Sequence, residues 1–511
     1  MTYPCAYNAA IELVDGNVAL GRGAKTAFVD SKRSLTYGAL QAETNRMANL
    51  LGGHGLEPED RVAMIVLDTV DFPVIFWGAI KAGVIPVAVN TLLATDQYRY
   101  ILSDSRAKAL FVSAELLDTV RPALAGLGQP RRIFVVGGNA GEHIDFAPAL
   151  GAEPDACTPA PTSSDEVAFW LYSSGSTGMP KGVTHVHTSL IETADRFGQG
   201  ILGMRSDDVI LSAAKLFFAY GLGNAMSFPM SVGATAILWP ARPTPKDMFD
   251  LLKSHQPTIF FGVPTLYAAM LAYPGCGPDL SSRKLRLCVS AGEALPKDVG
   301  EKWQRLFGID IIDGVGSTEM LHIFLSNRPG DVVYGTSGTA VPGYELRLVD
   351  EQGNEVKDGA IGELLVRGAS AATGYWNQRE KSRRTFEGEW LRTGDKYTRD
   401  AARRYLYRGR TDDMFKVSGL WLSPFEVESA LIAHEAVLEA AVVPYQDEDG
   451  LTKPKAFVVL KDKADRDGLH EILKDHVKER IGKWNYPRRI EFVDSLPKTA
   501  TGKIQRFKLR G

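Results

Sequence analysis

The segment from Tyr172 to Gly182 carries the residue types best suited to chemistry in this chain. Its sequence, YSSGSTGMPKG, combines three glycines, four Ser or Thr hydroxyls and one lysine. Glycines let backbone N–H groups converge on an anion, hydroxyls add donors, and a lysine supplies positive charge. The apolar run from Val167 to Leu171 before it is typical of a buried strand that ends in a loop. This composition predicts a cradle for phosphate oxygens, and a polar linker is the alternative.

The residues around Lys181 exclude the common P-loop. That loop places its lysine directly after a glycine and a Ser or Thr directly after the lysine. Here Pro180 precedes Lys181 and Gly182 follows it. The segment therefore predicts phosphate binding of another kind, and it does not define the reaction by itself.

Three further polar clusters could complete such a site. Glu319 ends the sequence GSTE and offers the hard oxygen ligand that Mg²⁺ prefers. Asp395 ends RTGD, and one carboxylate can accept hydrogen bonds from both hydroxyls of a ribose. A surface turn and an Asx turn are the plainer alternatives for these two carboxylates. Lys503 stands in a second loop of glycine and hydroxyl residues, which suggests that the end of the chain folds onto a site.

Length and composition limit the kinds of protein that could carry these clusters. The chain has 511 residues, which is too long for one hydrophobic core and predicts two or more domains. A net charge of −3 gives no field that would attract nucleic acid. The most apolar window, Phe72 to Val89, is too interrupted to span a membrane. The four cysteines are scattered without metal-binding spacing, so we expect a soluble protein of the cytoplasm.

Predicted strands and helices alternate through the first three fifths of the chain, which is typical of βαβ units with parallel sheets. The predicted strands are Arg61–Leu67, Val84–Val89, Ala109–Val112, Arg132–Val136, Val209–Ala213, Ala234–Leu238, Thr258–Phe261 and Arg286–Ser290. The predicted helices are Phe72–Lys81, Asp96–Asp104, Leu222–Met230, Lys246–His255, Pro264–Ala272 and Pro296–Phe307. Residues 138–164 are rich in Ala, Gly and Pro and predict an irregular surface connection.

The last third of the chain changes in texture. Short alternating strands between Gly335 and Arg408 predict a smaller β subdomain. Ser423 begins a helix with Pro424 and Glu426 behind it, which forms a capping box. About a hundred residues beyond this change are enough for an autonomous α+β domain.

In this order, the motifs YSSGSTGMPKG, GSTE, RTGD, GRTDDMFKVSG and PKTATGKIQR resemble the adenylate-forming ligase superfamily. That superfamily includes acyl- and aryl-CoA synthetases, luciferases and peptide-synthetase adenylation domains, and the resemblance covers nearly the whole chain. It implies an α/β fold with a large N-terminal domain, residues 1–411, of two parallel-sheet subdomains plus a β subdomain. A small mobile α+β domain, residues 412–511, completes the implied fold. The implied reaction joins an acid to AMP from MgATP and then transfers the acyl group to coenzyme A.

The resemblance also implies a role for each matched residue. For ATP binding these are the phosphate loop (Ser173, Ser174, Gly175, Thr177, Gly178, Lys181), the adenine turn (Gly292, Glu293, Ala294, with Asp313 nearby), and Asp395 and Arg410 at the ribose. The implied catalytic residues are Thr318 and Glu319, the latter also as the Mg²⁺ ligand, and Lys503, which would bridge the carboxylate and the α-phosphate. Asp412 matches the hinge, while Ser418 and Gly419 match the pantetheine tunnel.

The segments KLFFAYGLGN and GSTEMLHIF look most like benzoate-CoA ligases. On that basis a flat aromatic acid is expected to lie among Ala219, Tyr220, Ala291, Gly316, His322 and Ile323. Phe218 and Asn485 stand where many family members have a histidine and a lysine, so those two roles do not transfer. The resemblance predicts a benzoate-CoA ligase of aromatic compound degradation.

Three alternatives stay open. They are a ligase for 4-hydroxybenzoate or a fatty acid, a stand-alone adenylation enzyme that charges a carrier protein, and a nucleotide-binding regulatory protein. The oligomeric state also stays open, with a homodimer among the alternatives.

Overall fold

The computed structural model describes residues 5–173, 179–417, 420–448, 450–461, 467–482, 485–498 and 504–510. The described strands form five sheets. Two large sheets hold the strands between residues 26 and 340 together with Gly374–Tyr375, a third forms a β subdomain, and two small sheets lie near the C-terminus. The α/β fold class predicted from the sequence is confirmed by this architecture.

The first large sheet has nine strands, of which the six inner ones run parallel. Its order is Thr339–Ala340, Ile323–Ser326, Ile311–Gly316, Leu287–Ser290, Ile259–Gly262, Val209–Ser212, Thr235–Ile237, Thr26–Val29 and Ser34–Thr36. The inner strand Ile259–Gly262 is buried along its whole length. Helices cover both faces of a parallel sheet, so such strands are continuously apolar.

The second large sheet has eight strands, six of them parallel. Its order is Gly374–Tyr375, Lys181–Val186, Val167–Ser173, Ile85–Ala88, Arg61–Ile65, Ala109–Ser113, Arg132–Val136 and Ile144–Asp145. The strands Val167–Ser173 and Lys181–Val186 form an antiparallel hairpin in which Ser173 is paired with Lys181. The phosphate-loop segment therefore joins two neighbouring strands of one sheet.

The β subdomain is an antiparallel sheet of Glu345–Val349, Gly362–Arg367, Phe386–Glu387, Trp390–Arg399 and Tyr405–Arg410. Beyond it lie a two-stranded sheet, Phe415–Val417 and Leu420–Leu422, and a three-stranded sheet, Val437–Gln446, Thr452–Leu460 and Arg489–Phe492. This last part has an apolar core of its own, which includes Val427, Leu431, Val458 and Leu473. The division of the chain at residue 412 stays a prediction.

The described helices lie mainly between the strands. The α-helices are Gly16–Ala19, Tyr37–Gly53, Asp71–Lys81, Thr95–Ser105, Leu117–Leu124, Phe146–Gly151, Thr188–Thr193, Ala219–Leu222, Phe228–Val232, Pro245–His255, Pro264–Leu271, Lys297–Phe307, Arg379–Thr385, Pro424–Ile432 and Leu469–Ile481. Shorter π-helical segments are Ile11–Asp15, Ala194–Gln199 and Gly223–Ser227, and 3₁₀ turns are Ala114–Leu116, Pro278–Leu280 and Arg506–Lys508. Among the described residues, no helix is long and apolar enough to cross a membrane.

One prediction was wrong within residues 138–164, where an irregular connection was expected. The strand Ile144–Asp145 and the helix Phe146–Gly151 form there. The Asp145 carboxylate caps this helix by accepting the N–H of Ala147 at 3.3 Å. Phe146 and Leu150, four residues apart, are the buried pair that holds the helix against its neighbours. A helix of six residues is too short for its periodicity to stand out among the prolines and glycines of this segment.

Candidate active site

Lys181, Glu319 and Tyr375 meet at the end of the phosphate-loop hairpin. The Lys181 ammonium lies 2.8 Å from Glu319 Oε1 and donates to the Tyr375 hydroxyl at 2.8 Å. The Tyr375 hydroxyl in turn donates to Glu319 Oε1 at 2.8 Å. Lys181 begins its strand in the second large sheet, and Tyr375 lies on the adjacent strand opposite Val183. Glu319 lies in the turn that connects two strands of the first large sheet. The contact therefore joins the two sheets.

The Glu319 carboxylate is ionised despite its burial. Burial raises the pKa of Glu319, but the charge and hydrogen bond of Lys181 and the hydroxyl of Tyr375 outweigh it, so the net pKa lies below its ordinary value. Burial and the nearby Glu319 charge raise the pKa of Tyr375, so its hydroxyl stays protonated and can donate. An ionised carboxylate is a ligand of the kind Mg²⁺ prefers.

The turn that carries Glu319 is held by its backbone carbonyls. His185 Nε2 lies 2.7 Å from the Thr318 oxygen, and the Ala372 N–H donates to the Glu319 oxygen at 2.8 Å. The Ser370 hydroxyl donates to the next carbonyl, that of Met320, at 2.8 Å. Three successive carbonyls thus have donors from two different segments, the strand that carries His185 and the segment near residue 371, which fixes the turn.

Asp395 and Arg410 occupy paired positions on neighbouring strands of the β subdomain. Arg410 Nη1 donates to Asp395 Oδ1 at 3.1 Å and to the Thr393 carbonyl at 2.9 Å. The charge of Asp395 raises the pKa of Arg410, which keeps the guanidinium charged. The pair offers one anion and one cation side by side, which suits a ribose next to a phosphate.

The predicted adenine turn follows the strand Leu287–Ser290 of the first large sheet and contacts the C-terminal segment. Gly292 has a φ of +97°, a conformation that favours glycine. Glu293 accepts the backbone N–H of Ile504 at 3.2 Å, so the residue that follows Lys503 contacts this turn. Asp313 is buried and accepts the Leu295 N–H at 3.4 Å, and burial raises its pKa well above the ordinary value. Ala294 lies half-buried next to Glu293.

His322 is the centre of the predicted acid pocket. Its ring lies 5.5 Å from the ring of Tyr220 and 4.4 Å from that of Phe228. Its Nε2 lies 3.0 Å from Asn224 Oδ1 and 3.3 Å from the Tyr220 carbonyl. Two oxygen acceptors at Nε2 require a proton there. Burial lowers the pKa of His322 to about 3, so the imidazole is neutral.

The other predicted pocket residues are small or aliphatic. Ala219, Ala291 and Ile323 are buried, whereas Gly316 is exposed at the end of its strand. A Cβ on Gly316 would lie 2.5 Å from the His322 carbonyl, so only glycine allows this approach. The predicted pocket wall is therefore made of small, aliphatic and aromatic groups around one neutral imidazole.

The predicted hinge, Asp412, is exposed in a turn. Arg510 donates to the Asp412 carbonyl at 3.3 Å and pairs with the Asp413 carboxylate at 2.6 Å. Ser173 is half-buried at the edge of the phosphate loop. Seven other predicted residues lie outside the described residues: Ser174, Gly175, Thr177, Gly178, Ser418, Gly419 and Lys503.

Comparison with known protein families decides the assignment of this fold and site. The AMP-binding enzyme family matches residues 17–376, and its C-terminal domain family matches residues 426–503. The chain belongs to the AMP-binding enzyme family. The superfamily resemblance predicted from the motifs is thereby confirmed.

Similar AMP-binding enzymes cover nearly the whole chain. A 4-hydroxybenzoate–CoA/benzoate–CoA ligase of Rhodopseudomonas palustris is 56% identical over 99% of this chain and 94% of its own. A benzoate–CoA ligase of Thauera aromatica is 56% identical over 99% of this chain and 96% of its own. The crystal structure of a benzoate CoA ligase from Burkholderia xenovorans is 50% identical, with a TM-score of 0.93 over 99% of this chain and all of its own.

Sequence reasoning missed two residues of this AMP-binding enzyme. His185 shares one strand face with Lys181, and this alternation was the signal that could have found it. Tyr375 gave no such signal, because it is far from both Lys181 and Glu319 in the sequence.

Phe218 packs against Phe217, with ring centroids 4.4 Å apart.

Proposed function

We propose that this AMP-binding enzyme is an ATP-dependent benzoate-CoA ligase. The observation that carries the proposal is the 56% identity, over nearly the full chain, to two ligases whose names include benzoate. The pocket around His322 supports it, because its aromatic and aliphatic groups suit a benzene ring. The products are benzoyl-CoA, AMP and pyrophosphate.

The first half-reaction needs positive charge, because a carboxylate anion must approach an anionic phosphate. A benzoate oxygen attacks the α-phosphorus of ATP and pyrophosphate leaves. Lys181 is the cation that faces the phosphates, and it exchanges its contact with Glu319 for phosphate oxygens. Lys503, on the segment that reaches Glu293 through Ile504, is the cation assigned to the carboxylate and the α-phosphate.

Glu319 is the residue that would hold Mg²⁺. Its buried, ionised carboxylate fits this cation. Among the described residues, no cluster of three or more metal-ligating side chains occurs. Mg²⁺ is commonly held by one or two carboxylates together with substrate phosphates. When bound, Mg²⁺ neutralises charge on the phosphate oxygens.

In the second half-reaction, the sulfur of CoA attacks the carbonyl carbon of benzoyl-AMP and AMP leaves. A neutral aromatic and aliphatic pocket holds the ring, and its imidazole is a weak base because burial lowers the pKa of His322 to about 3. A turn of the C-terminal domain about Asp412 would bring the CoA site to the acyl group. This rotation, the homodimer and the cytoplasmic location stay predictions.

A panel of acids tests the proposed substrate. Thioester formation with CoA is measured for benzoate, 3- and 4-hydroxybenzoate, and hexanoate. We expect the highest kcat/KM with benzoate, and 4-hydroxybenzoate to be about 10- to 100-fold poorer, because one added hydroxyl costs about 1–3 kcal/mol in an apolar pocket. A preference for hexanoate would contradict the aromatic pocket, and activity only with carrier-bound pantetheine would favour a carrier-charging enzyme.

The substitution Lys503→Ala tests the assigned catalytic lysine. We expect adenylate formation to fall by about 100-fold or more, because a positioned charge on the reacting groups is lost. Thioester formation from supplied benzoyl-AMP should stay within about two-fold of the wild type, since that step uses no attack on phosphorus. Lys508→Ala, in the same C-terminal segment, is the matched control. Equal loss in both half-reactions would refute the role of Lys503.

A further inference from the structure

Among the described residues, the His185 side chain makes one hydrogen bond, and that bond is with the turn that carries Glu319. Its Nε2 lies 2.7 Å from the Thr318 carbonyl oxygen. A carbonyl can only accept, so Nε2 carries the proton and donates. The ring is fully buried and stacks on Phe169 at 5.2 Å, with an angle of 15° between the planes. Its Nδ1 has no hydrogen-bond partner in the part of the chain that the structure describes.

The strand that carries His185 also carries Lys181. The two residues are four positions apart on the strand Lys181–Val186, so their side chains leave the same face. Lys181 contacts the carboxylate of Glu319, and His185 contacts the carbonyl of the preceding residue, Thr318. One strand face therefore binds both the side chain and the backbone of the turn.

The other two carbonyls of the turn are bound from elsewhere. The donors to Glu319 and Met320 are the Ala372 N–H and the Ser370 hydroxyl, both from one segment near residue 371. Of these three donors to the backbone carbonyls of the turn, His185 is the one that lies on the strand following the phosphate loop. Loss of its donor would leave the half-buried Thr318 carbonyl with the Leu321 N–H, which lies 3.1 Å away within the same turn. The turn would lose this tie to the neighbouring strand, and the peptide before Glu319 would be free to tilt.

We propose that His185 is a positioning residue that aims the Glu319 carboxylate at the Mg²⁺–ATP complex. This inference rests on the proposed function, because it assigns Glu319 to that complex. His185 touches neither ATP nor the acid in this arrangement and acts through the Thr318–Glu319 peptide. Its removal should therefore weaken binding of MgATP and spare the CoA half-reaction.

His187 provides a matched control two residues further along. It is also buried, but its Nδ1 accepts the N–H of Ala9 at 3.2 Å, and its ring lies 6.5 Å from Tyr7. It therefore holds the N-terminal segment, and within the described part of the chain no hydrogen bond joins its side chain to the Glu319 turn. A general effect of losing a buried histidine should appear equally in variants of both residues.

The experiment compares His185→Leu, His185→Gln and His187→Leu with the wild type. Binding of MgATP without acid is measured by titration calorimetry, and thioester formation is measured from supplied benzoyl-AMP. We expect His185→Leu to bind MgATP about 10-fold more weakly, because one hydrogen bond that orients a charged ligand is lost. Thioester formation from benzoyl-AMP should stay within about two-fold of the wild type, since Glu319 faces ATP in the first half-reaction. His185→Gln can still donate and should recover most of the affinity, while His187→Leu should bind MgATP as the wild type does.

Three results would overturn the role of His185. They are unchanged MgATP affinity in His185→Leu, an equal loss in His187→Leu, and equal losses in both half-reactions. If His185→Leu does not fold, the Gln variant and the ¹⁵N NMR signals of His185 decide, because a proton on Nδ1 alone would exclude donation to Thr318. If the wild type forms the thioester and the His185 variants bind MgATP as tightly as the wild type, this inference alone is refuted. A wild type that does not bind MgATP refutes the proposed function as well.

Discussion

Glu319 keeps its charge inside the protein because two donors converge on the same carboxylate oxygen. Lys181 and Tyr375 each lie 2.8 Å from Oε1, and they also contact each other. In the proposed function Lys181 turns to phosphate when ATP binds, and Tyr375 is then the donor that stays on Glu319. At the scale of single residues, we therefore expect the tyrosine hydroxyl to preserve the orientation of the carboxylate during this exchange.

Substitution of Tyr375 by Phe removes this hydroxyl and keeps the ring. We expect adenylate formation, measured as acid-dependent pyrophosphate exchange, to fall about 10-fold, since a hydrogen bond to a charged group contributes about 1.5–3 kcal/mol. Tyr334→Phe is the control, because its hydroxyl contacts Asp310 at 2.9 Å, outside the site. An equal loss in both variants would show that the effect is one of stability.

At the scale of elements, a continuous helical segment and a strand meet at the acid pocket. The helical segment runs from Ala219 to Val232 and carries Tyr220, Gly223 and Asn224. The strand Ile323–Ser326 begins directly after His322. Gly223 faces the His322 ring so closely that any side chain at this position would overlap it.

Substitution of Gly223 by Ala should therefore displace His322 and reshape the pocket. We expect kcat/KM for benzoate to fall about 100-fold, because overpacking a buried site costs about 1–3 kcal/mol and misplaces the reacting group. The affinity for MgATP should not change, since the site of Lys181 is held by other elements. Gly52→Ala is the control, as nothing lies within 4 Å of a Cβ added there. A normal KM for benzoate in Gly223→Ala would exclude His322 from the pocket.

At the scale of the whole molecule, the proposed function predicts that the C-terminal domain turns about Asp412 between the two half-reactions. Proline at this position fixes φ near −65° and restricts the rotation. We expect Asp412→Pro to keep one half-reaction. Overall thioester formation should fall by at least about 10-fold, because the second orientation of the C-terminal domain becomes inaccessible. Glu351→Pro is the control, since this residue lies second in an exposed turn closed by Gly353 N–H and Asp350. Unchanged turnover in Asp412→Pro would refute rotation about this residue.

Buried neutral histidines make the folded protein sensitive to acid. Burial lowers the pKa of His187 to about 4, whereas an unfolded chain has an ordinary histidine pKa near 6.5. Between these values the unfolded state binds more protons, so the free energy of unfolding falls as the pH falls from about 6.5 to 4.

Urea unfolding at pH 7 and pH 5 measures this loss. Between pH 7 and pH 5, the free energy of unfolding of His187→Gln should fall by about 2 kcal/mol less than that of the wild type, because the variant has no proton to gain at this position. Equal losses in the two proteins would show that His187 does not titrate as its burial requires.

Much of the fold and part of the candidate site could be predicted from the sequence. Apolar runs predicted most inner strands of both large sheets, because hydrophobic periodicity is a local property of the chain, but the parallel strand Thr26–Val29 was not predicted. The short helix Phe146–Gly151 was missed for the same reason, since six residues hold too little periodicity. The motifs that carry Lys181, Glu319, Asp395 and Lys503 were visible because their residue types and spacing suit phosphate and metal chemistry.

The sequence by itself determined the family and the reaction type, and it predicted the residues that would face ATP. Only the tertiary structure decided that Tyr375 bridges Lys181 and Glu319, and that His185 binds the carbonyl of Thr318. These residues are far apart in the chain, and their contacts depend on the order of strands and the packing of one sheet against the other. Local spacing carries no information about such contacts, because they form only when distant segments bury their apolar faces together.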